Sequence, residues 1–383
     1  MSFQSVQEMF SQTAAEFGSQ VAIDRNGRTV TYSELESQSN RLANFLLEGG
    51  VTRGSIVGIF TDDPILIITS MLGVLKAGAV FVPLDPTFPD QRLQVMSEQV
   101  QPRWYIVENK YLTKLGRMRA EAIFKAAFIT FEREPGRVVC LDGSPETPLA
   151  GFEASGLQVL DTYATYNNTQ HPGIASDGDA PCSIYFTSGS TGKPKAILGR
   201  LKGIDHFIRW EIEAVGATAG TRVTQLASPS FDGFLKDAFV PLCSGGTVCP
   251  PDNRDVILDA EKLADWLDVQ QIEVLHCVPS VFRSLINEGL SSSYFEALRC
   301  VVLTGEPLYP ADVKRWVEIF GNRVKLWNIY GTTETSLSKL QYEVKPEDVE
   351  RPSIPVGKPI KPTVYSLCSR TRNFFQNFDH SYY

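Results

Sequence analysis

Short apolar runs alternate with stretches of helical period along most of this chain. That alternation restricts the architectures open to it. SIVGIFT at 55–61 reads as a buried strand, and 63–78 carries apolar residues at helical spacing. AVFVPL at 79–84, WYIV at 104–107 and AFITF at 127–131 read as further strands. The pattern resumes with VTQLAS at 223–228, GTVCP at 246–250, EVLHCV at 273–278, CVVLTG at 300–305 and VKLWNIYG at 324–331. Helical segments lie among them at 261–270 and 310–320. Such alternation predicts an α/β fold, with two parallel-type sheets flanked by helices. A length of 383 residues suits two or three compact units. The stretch 132–181, rich in Gly, Pro, Asp and Ser, has weak periodicity and reads as a long irregular connection. No repeat of solenoid type is present.

Bulk properties narrow the function classes. The formal net charge is -8 and no long basic run occurs, which argues against a nucleic-acid partner. The opening MSFQSVQEMFSQTAAEFG lacks the apolar core of a secretory signal. The longest apolar stretch, 64–82, is interrupted by Ser70, Lys76 and two glycines, so it does not read as a membrane span. None of the seven cysteines forms a C-x-x-C pair, which suggests neither a zinc site nor a disulfide framework. A cytoplasmic protein with reduced thiols fits these features. Asn167-Asn168-Thr169 matches a glycosylation pattern, which carries little weight without a secretory signal.

The densest chemistry lies in IYFTSGSTGKPKAILGR at 184–200, where small hydroxyls, glycines and lysines follow an apolar strand. It is not a Walker A loop. Gly189 and Gly192 are separated by two residues instead of four, and Lys193 is followed by Pro194 where a P-loop has the Ser or Thr that holds Mg²⁺. Pro194 also lacks an N–H, which disfavours a helix starting there. The loop still suits a phosphate clamp, because glycines let backbone N–H groups turn toward an anion and hydroxyls add donors. A solvent-exposed polar turn is the plainer alternative.

TSGSTGKPK at 187–195 resembles the phosphate loop of adenylate-forming enzymes, most closely that of nonribosomal peptide synthetase adenylation domains. Four further segments support the resemblance, in order and at matching spacing. They are VTYSEL at 30–35 with Asn40, Leu42 and Ala43; LKAGAVFVPLD at 75–85; SFDGFLKD at 230–237; and NIYGTTET at 328–335. The resemblance runs from about residue 5 to about residue 365. It implies an adenylation core over 1–350, made of two α/β subdomains at roughly 1–200 and 201–350. Residues 351–383 would then be the start of a β-rich subdomain with a divergent tail. The implied reaction is attack of a carboxylate on the α-phosphorus of ATP, which gives an acyl-adenylate and pyrophosphate. It depends mostly on positioning and charge neutralisation.

The resemblance also implies site residues. Thr187, Ser188, Gly189, Ser190, Thr191, Gly192 and Lys193 would clamp phosphate. Tyr330 ends a strand and offers a flat face to adenine, Asn328 can bond the base edge, and Gly305 and Gly331 allow close backbone approach. Thr333 would reach the α-phosphate, and Glu334 would hold Mg²⁺, a cation that prefers oxygen. The substrate pocket would be Asp232, Gly233, Lys236, His276, Val302, Thr304, Ile329, Leu337 and Ser338. Asp232 matches the family position that binds an α-ammonium, so it favours an amino acid over the substrates of acyl-CoA or aryl-acid ligases.

Lys236 is unusual at a position that is often apolar. Four residues after Asp232 on a helix, it shares Asp232's face and needs an anionic partner if buried. Asp237, an acidic substrate side chain together with His276, or Asp232 itself could supply one. The preferred substrate is an amino acid with a polar or acidic side chain.

After SIPVGKPIKPTVYSL the resemblance ends, and CSRTRNFFQNFDHSYY matches no family segment. The ribose-binding Asp and the C-terminal lysine of the family have no counterpart in the sequence, and losing one such electrostatic group costs about 10²–10³ in rate. Two alternatives to an active amino-acid-activating core therefore stand beside it: a catalytically impaired nucleotide-binding relic or partner protein, and an acyl-CoA or aryl-acid ligase. The expected partners are an amino acid, and a carrier protein or a separate C-terminal subdomain acting in trans, with no nucleic acid and no membrane.

Overall fold

The computed structural model describes residues 3–126, 136–142, 157–188 and 193–363. The fold is α/β, with strands gathered into two mixed sheets and flanked by helices. The chain divides into two compact units, Met1–Arg254 and Asp255–Tyr383. Among the described residues no helix is long and apolar enough to cross a membrane.

The strands of the first unit are β1 (Val21–Arg25), β2 (Arg28–Thr31), β3 (Ile56–Phe60), β4 (Val80–Pro83), β5 (Trp104–Val107), β6 (Gly136–Cys140), β7 (Leu157–Val159), β8 (Pro181–Ser188), β9 (Pro194–Arg200), β10 (Arg222–Thr224) and β11 (Thr247–Cys249). Seven of them form one sheet, in the order β7-β6-β5-β3-β4-β8-β9. It is parallel except for the terminal β8/β9 hairpin. The others follow the order β10-β11-β1-β2, parallel until the β1/β2 hairpin. Asn26 and Gly27, both at positive φ (50° and 91°), close that hairpin in the way a tight two-residue turn requires. The second unit holds β12 (Val274–Cys277), β13 (Cys300–Leu303), β14 (Lys325–Gly331), β15 (Ser338–Val344) and β16 (Lys358–Pro359) in sequential order. The first three are parallel and the last two antiparallel.

The alternation read from the sequence is realised at 55–61, 63–78, 79–84, 104–107 and 310–320. The two sheets flanked by helices are present, and hairpins add antiparallel strands at their edges. One reading needs correction. The 132–181 connection contains β6 and β7, which extend the parallel sheet through pairs such as Trp104↔Arg137 and Gly136↔Leu157. Strands of three to five residues are too short to show a period, and only pairing to a neighbour fixes them. The strand expected at 127–131 lies outside the described residues.

Two family-like motifs have structural roles. In VTYSEL, Thr31 caps the helix Tyr32–Glu48 by accepting from Glu34 N, while Glu34 accepts from Thr31 N at 2.8 Å. This is a capping box, which explains the three-residue spacing of Thr and Glu. In LKAGAVFVPLD, the buried Lys76 ammonium donates to Glu36 (2.6 Å), Ser39 (2.8 Å) and Asn40 (2.8 Å), and so pins its helix to Tyr32–Glu48. The core of the seven-stranded sheet includes Phe60, Val82, Leu93, Tyr105, Ile184 and Phe186. Trp316 packs on Phe282 and Phe320 in the second unit, at centroid distances of 4.9 and 4.4 Å.

Candidate functional site

The phosphate-loop segment joins β8 to β9. Thr187 pairs with Lys195 and Ser188 with Pro194 as the hairpin closes. Pro194 opens a strand and not a helix, which separates this loop from the strand–loop–helix of a P-loop. Ser188 and Lys193 are exposed and Thr187 is half-buried. Gly189, Ser190, Thr191 and Gly192 lie outside the described residues.

Asp232 occupies the N-cap position of the helix Gly233–Leu242. An aspartate there usually accepts a backbone N–H of the first turn. The Asp232 side chain makes no such capping bond, and the residue is half-buried. Gly233 leaves room beside it: among the described residues, a Cβ there would meet only Ala227 Cβ, at 3.8 Å. Lys236 is buried and donates to Asp237 Oδ1 at 2.7 Å. The other Asp237 oxygen accepts from Leu226 N (3.1 Å) and Ala227 N (2.9 Å), which fixes the loop ahead of Asp232. The ammonium is thus matched by its sequence neighbour. Its pairing with Asp237 removes the need for an anion from the substrate or from Asp232.

Sequence reasoning missed a second anchor in this unit. Asp85, the last residue of LKAGAVFVPLD, is buried and accepts from Arg254 (2.9 Å), which also donates to Ser228 Oγ (3.1 Å). The two bonds tie the end of β4 to the loop that carries Asp232. An acidic residue ending an apolar run was the available signal.

In the second unit, sheet register places the expected residues. His276 pairs with Val302, and Val302 pairs with Trp327. Cross-strand partners share a face, and so do residues two apart on one strand. His276, Val302 and Ile329 therefore fall on one face, while Asn328 and Tyr330 fall on the other; Thr304 follows the end of β13. Thr304 Oγ1 lies 3.4 Å from Ser338 Oγ.

Tyr330 is 52% exposed at the end of β14, unlike the usual packed strand-end tyrosine. Asn328 is buried and donates from Nδ2 to Pro355 O at 2.8 Å. Gly305 sits at φ 90°, where, among the described residues, a Cβ would meet only Val278, at 3.6 Å. Gly331 is a different case: a Cβ there would lie 2.4 Å from Ser338 Cα and 2.5 Å from Leu337 O. Thr333 and Glu334 lie on a short 3-10 turn, Thr333–Thr335, with Glu334 exposed. Ser336 and Leu337 follow at φ 59° and 65°, and strained non-glycine backbone of this kind clusters at ligand sites.

No group of three His, Cys, Asp or Glu side chains forms a metal cage among the described residues. Magnesium does not need one, since it is held by one or two carboxylates together with phosphate oxygens and water. Glu334 fits that donor set.

The sequence profile of AMP-binding enzymes matches residues 10–372. Tyrocidine synthase 3 of Brevibacillus parabrevis is 29% identical over 356 residues, covering 93% of this chain and 5% of that protein. The nonribosomal peptide synthetase FmoA3 shares the fold with a TM-score of 0.74 at 22% identity, over 93% of this chain and 34% of the other. The N-terminal subdomain of Klebsiella oxytoca NpsA, solved in complex with 3-hydroxybenzoyl-AMSN, gives 0.70 at 22% identity over 93% and 80%. The chain spans only a small part of the curated relative it matches. With the profile covering nearly the whole sequence, the chain belongs to the AMP-binding enzyme family, and its relatives include nonribosomal peptide synthetases.

Proposed function

We propose that this chain is an adenylation core that activates an amino acid with ATP, forming aminoacyl-AMP and pyrophosphate. The observation that carries the amino-acid reading is Asp232. It sits half-buried at a helix N-cap, makes no capping bond and has open space at Gly233 beside it. A carboxylate so placed suits a substrate ammonium. The pairing of Lys236 with Asp237 supports this, because it gives the Lys236 ammonium an anion other than Asp232. A keto-acid or hydroxy-acid substrate would need that neutralisation.

The same pairing removes the charge argument for an acidic substrate side chain. The polar groups of His276, Thr304 and Ser338 favour a polar uncharged one. In the reaction a substrate carboxylate oxygen bonds to the α-phosphorus as the bond from that phosphorus to the β-phosphate bridging oxygen breaks. Tyr330 offers its exposed ring to adenine, Gly305 keeps the backbone accessible, and Gly331 lets β14 approach the Leu337–Ser338 backbone closely. Ser188 and Lys193, with Gly189, Ser190, Thr191 and Gly192 of the same loop, would hold phosphate oxygens. Thr333 would bond the α-phosphate. Glu334 would hold Mg²⁺, whose charge stabilises the developing negative charge.

Amino-acid-dependent ATP–pyrophosphate exchange tests the reading. Exchange above background with one proteinogenic amino acid, lost in Asp232→Asn, is the expected result. ATP binding without exchange for any amino acid would favour the relic reading. Exchange supported by aryl or fatty acids instead would favour the aryl-acid or acyl-CoA ligase reading.

A further inference from the structure

A cavity of about 460 Å³ lies where β3, β5 and β6 begin. That volume is in the range of small-molecule sites. Register fixes its place on the seven-stranded sheet. Trp104, in its wall, pairs with Val57, Val57 with Phe81, and Phe81 with Ser183 on β8. The phosphate loop starts only after Ser188, five residues beyond Ser183. At about 3.3 Å per residue that is roughly 16 Å along the strand, and the three strand steps from β5 to β8 add roughly 14 Å across. The cavity is therefore separate from the nucleotide end of the sheet.

Its chemistry is cationic. Arg103 and Arg137 line it and no acidic side chain does, on a chain whose formal net charge is -8. Trp104 and Arg137 are cross-strand partners and share a face. The half-buried Arg137 guanidinium lies 5.3 Å from the centre of the indole ring and donates to Gly49 O, at the end of the helix Tyr32–Glu48. Capping that helix end is the plain structural role of Arg137. The bond uses one of several guanidinium N–H groups, and among the described residues Arg137 has no carboxylate partner. Gly49 packs so closely on the indole that a Cβ there would collide with the ring, so this wall is fixed. Thr52, Ser55 and Gln101 add neutral polar groups to the lining.

We propose that this cavity binds a small oxyanion, a phosphate ester or a polycarboxylate, through the Arg137 guanidinium with Arg103 on the same rim. A backbone bond from Arg137 N to Arg103 O, 2.8 Å, joins the two residues where their strands begin. The planar guanidinium matches the oxygens of either kind of anion in two-point contact. Held already by Trp104 and Gly49, Arg137 loses little freedom when an anion arrives. Such a site is independent of the amino-acid reading above.

The test needs no turnover. Pyrophosphate and citrate are titrated by calorimetry, at constant ionic strength, into wild type, Arg137→Gln, Arg103→Gln and Lys193→Ala. Saturable binding of one of them to wild type is expected, weakened about ten-fold in Arg137→Gln and changed less than about two-fold in Lys193→Ala. Tighter pyrophosphate assigns the phosphate class, and tighter citrate the carboxylate class. Arg137→Gln also removes the bond to Gly49, so circular dichroism checks that it folds. Arg103 is exposed, and Arg103→Gln keeps the test open if Arg137→Gln does not fold, with a loss of about three-fold or more expected. Binding that survives in both arginine variants and is lost in Lys193→Ala would put the anion at the phosphate loop and overturn the site. Absence of saturable binding of either anion to wild type would overturn it as well.

Discussion

Asp237 shows how much one carboxylate settles. It neutralises a buried ammonium with one oxygen and holds Leu226 N and Ala227 N with the other. Asp237→Asn keeps the shape and removes the charge, leaving Lys236 buried without an anion. Breaking a buried pair in this way costs about 3–5 kcal/mol. Urea unfolding should show a loss of that size. Lys236→Met should cost less, because Asp237 keeps its two backbone donors. Equal losses would mean the pair is not the main anchor. From sequence, Lys236 had three partners to choose among, two of them directed toward the substrate. Helical spacing places residues on a face but does not say which rotamer a long side chain adopts.

At the scale of elements, the helices Tyr32–Glu48 and Pro64–Lys76 are joined through Lys76. Burial, opposed by Glu36, lowers the Lys76 ammonium to about 8 from its ordinary 10.5. The folded state thus binds fewer protons than the unfolded state between those values. Stability should rise with pH across that window, and the contribution should be flat below about pH 7. Comparison with Lys76→Met isolates the effect, since other titrations cancel. The stability difference should move in favour of wild type as pH goes from 7 to 9.5 in denaturant titrations. Gly331 makes the second element-scale case. Gly331→Ala forces a methyl into backbone atoms at the β14/β15 junction, and overpacking of this kind costs about 1–3 kcal/mol. Because Thr333 and Glu334 follow directly, AMP affinity should fall along with stability. A variant with unchanged AMP binding would show that this junction does not shape the nucleotide site.

Taken whole, the molecule should be stabilised by what it binds. ATP with Mg²⁺ at about 100 times its dissociation constant contributes about 2.7 kcal/mol, a rise in melting temperature on the order of 3–5 °C. Tyr330→Ala should abolish most of that rise, whereas Asp232→Asn should leave it intact, since the two residues serve different ligands in this reading. Differential scanning calorimetry with and without nucleotide decides it, and equal loss in both variants would contradict the division.

Family membership and the α/β class were legible in the sequence because both are local properties. Apolar period depends on neighbours along the chain, and TSGSTGKPK or NIYGTTET can be matched letter by letter. The capping box of VTYSEL was likewise present in its spacing. Tertiary structure decided what depends on residues far apart. It added β6 and β7 to a sheet whose register lies in β5, joined Lys76 to Asn40, set Asp85 against Arg254, and chose Asp237 as the partner of Lys236. Among the described residues it also left the Tyr185 hydroxyl buried without a hydrogen-bond partner, on the face away from the main core. A sequence states which groups exist, but whether a polar group is satisfied depends on every atom that folding brings around it.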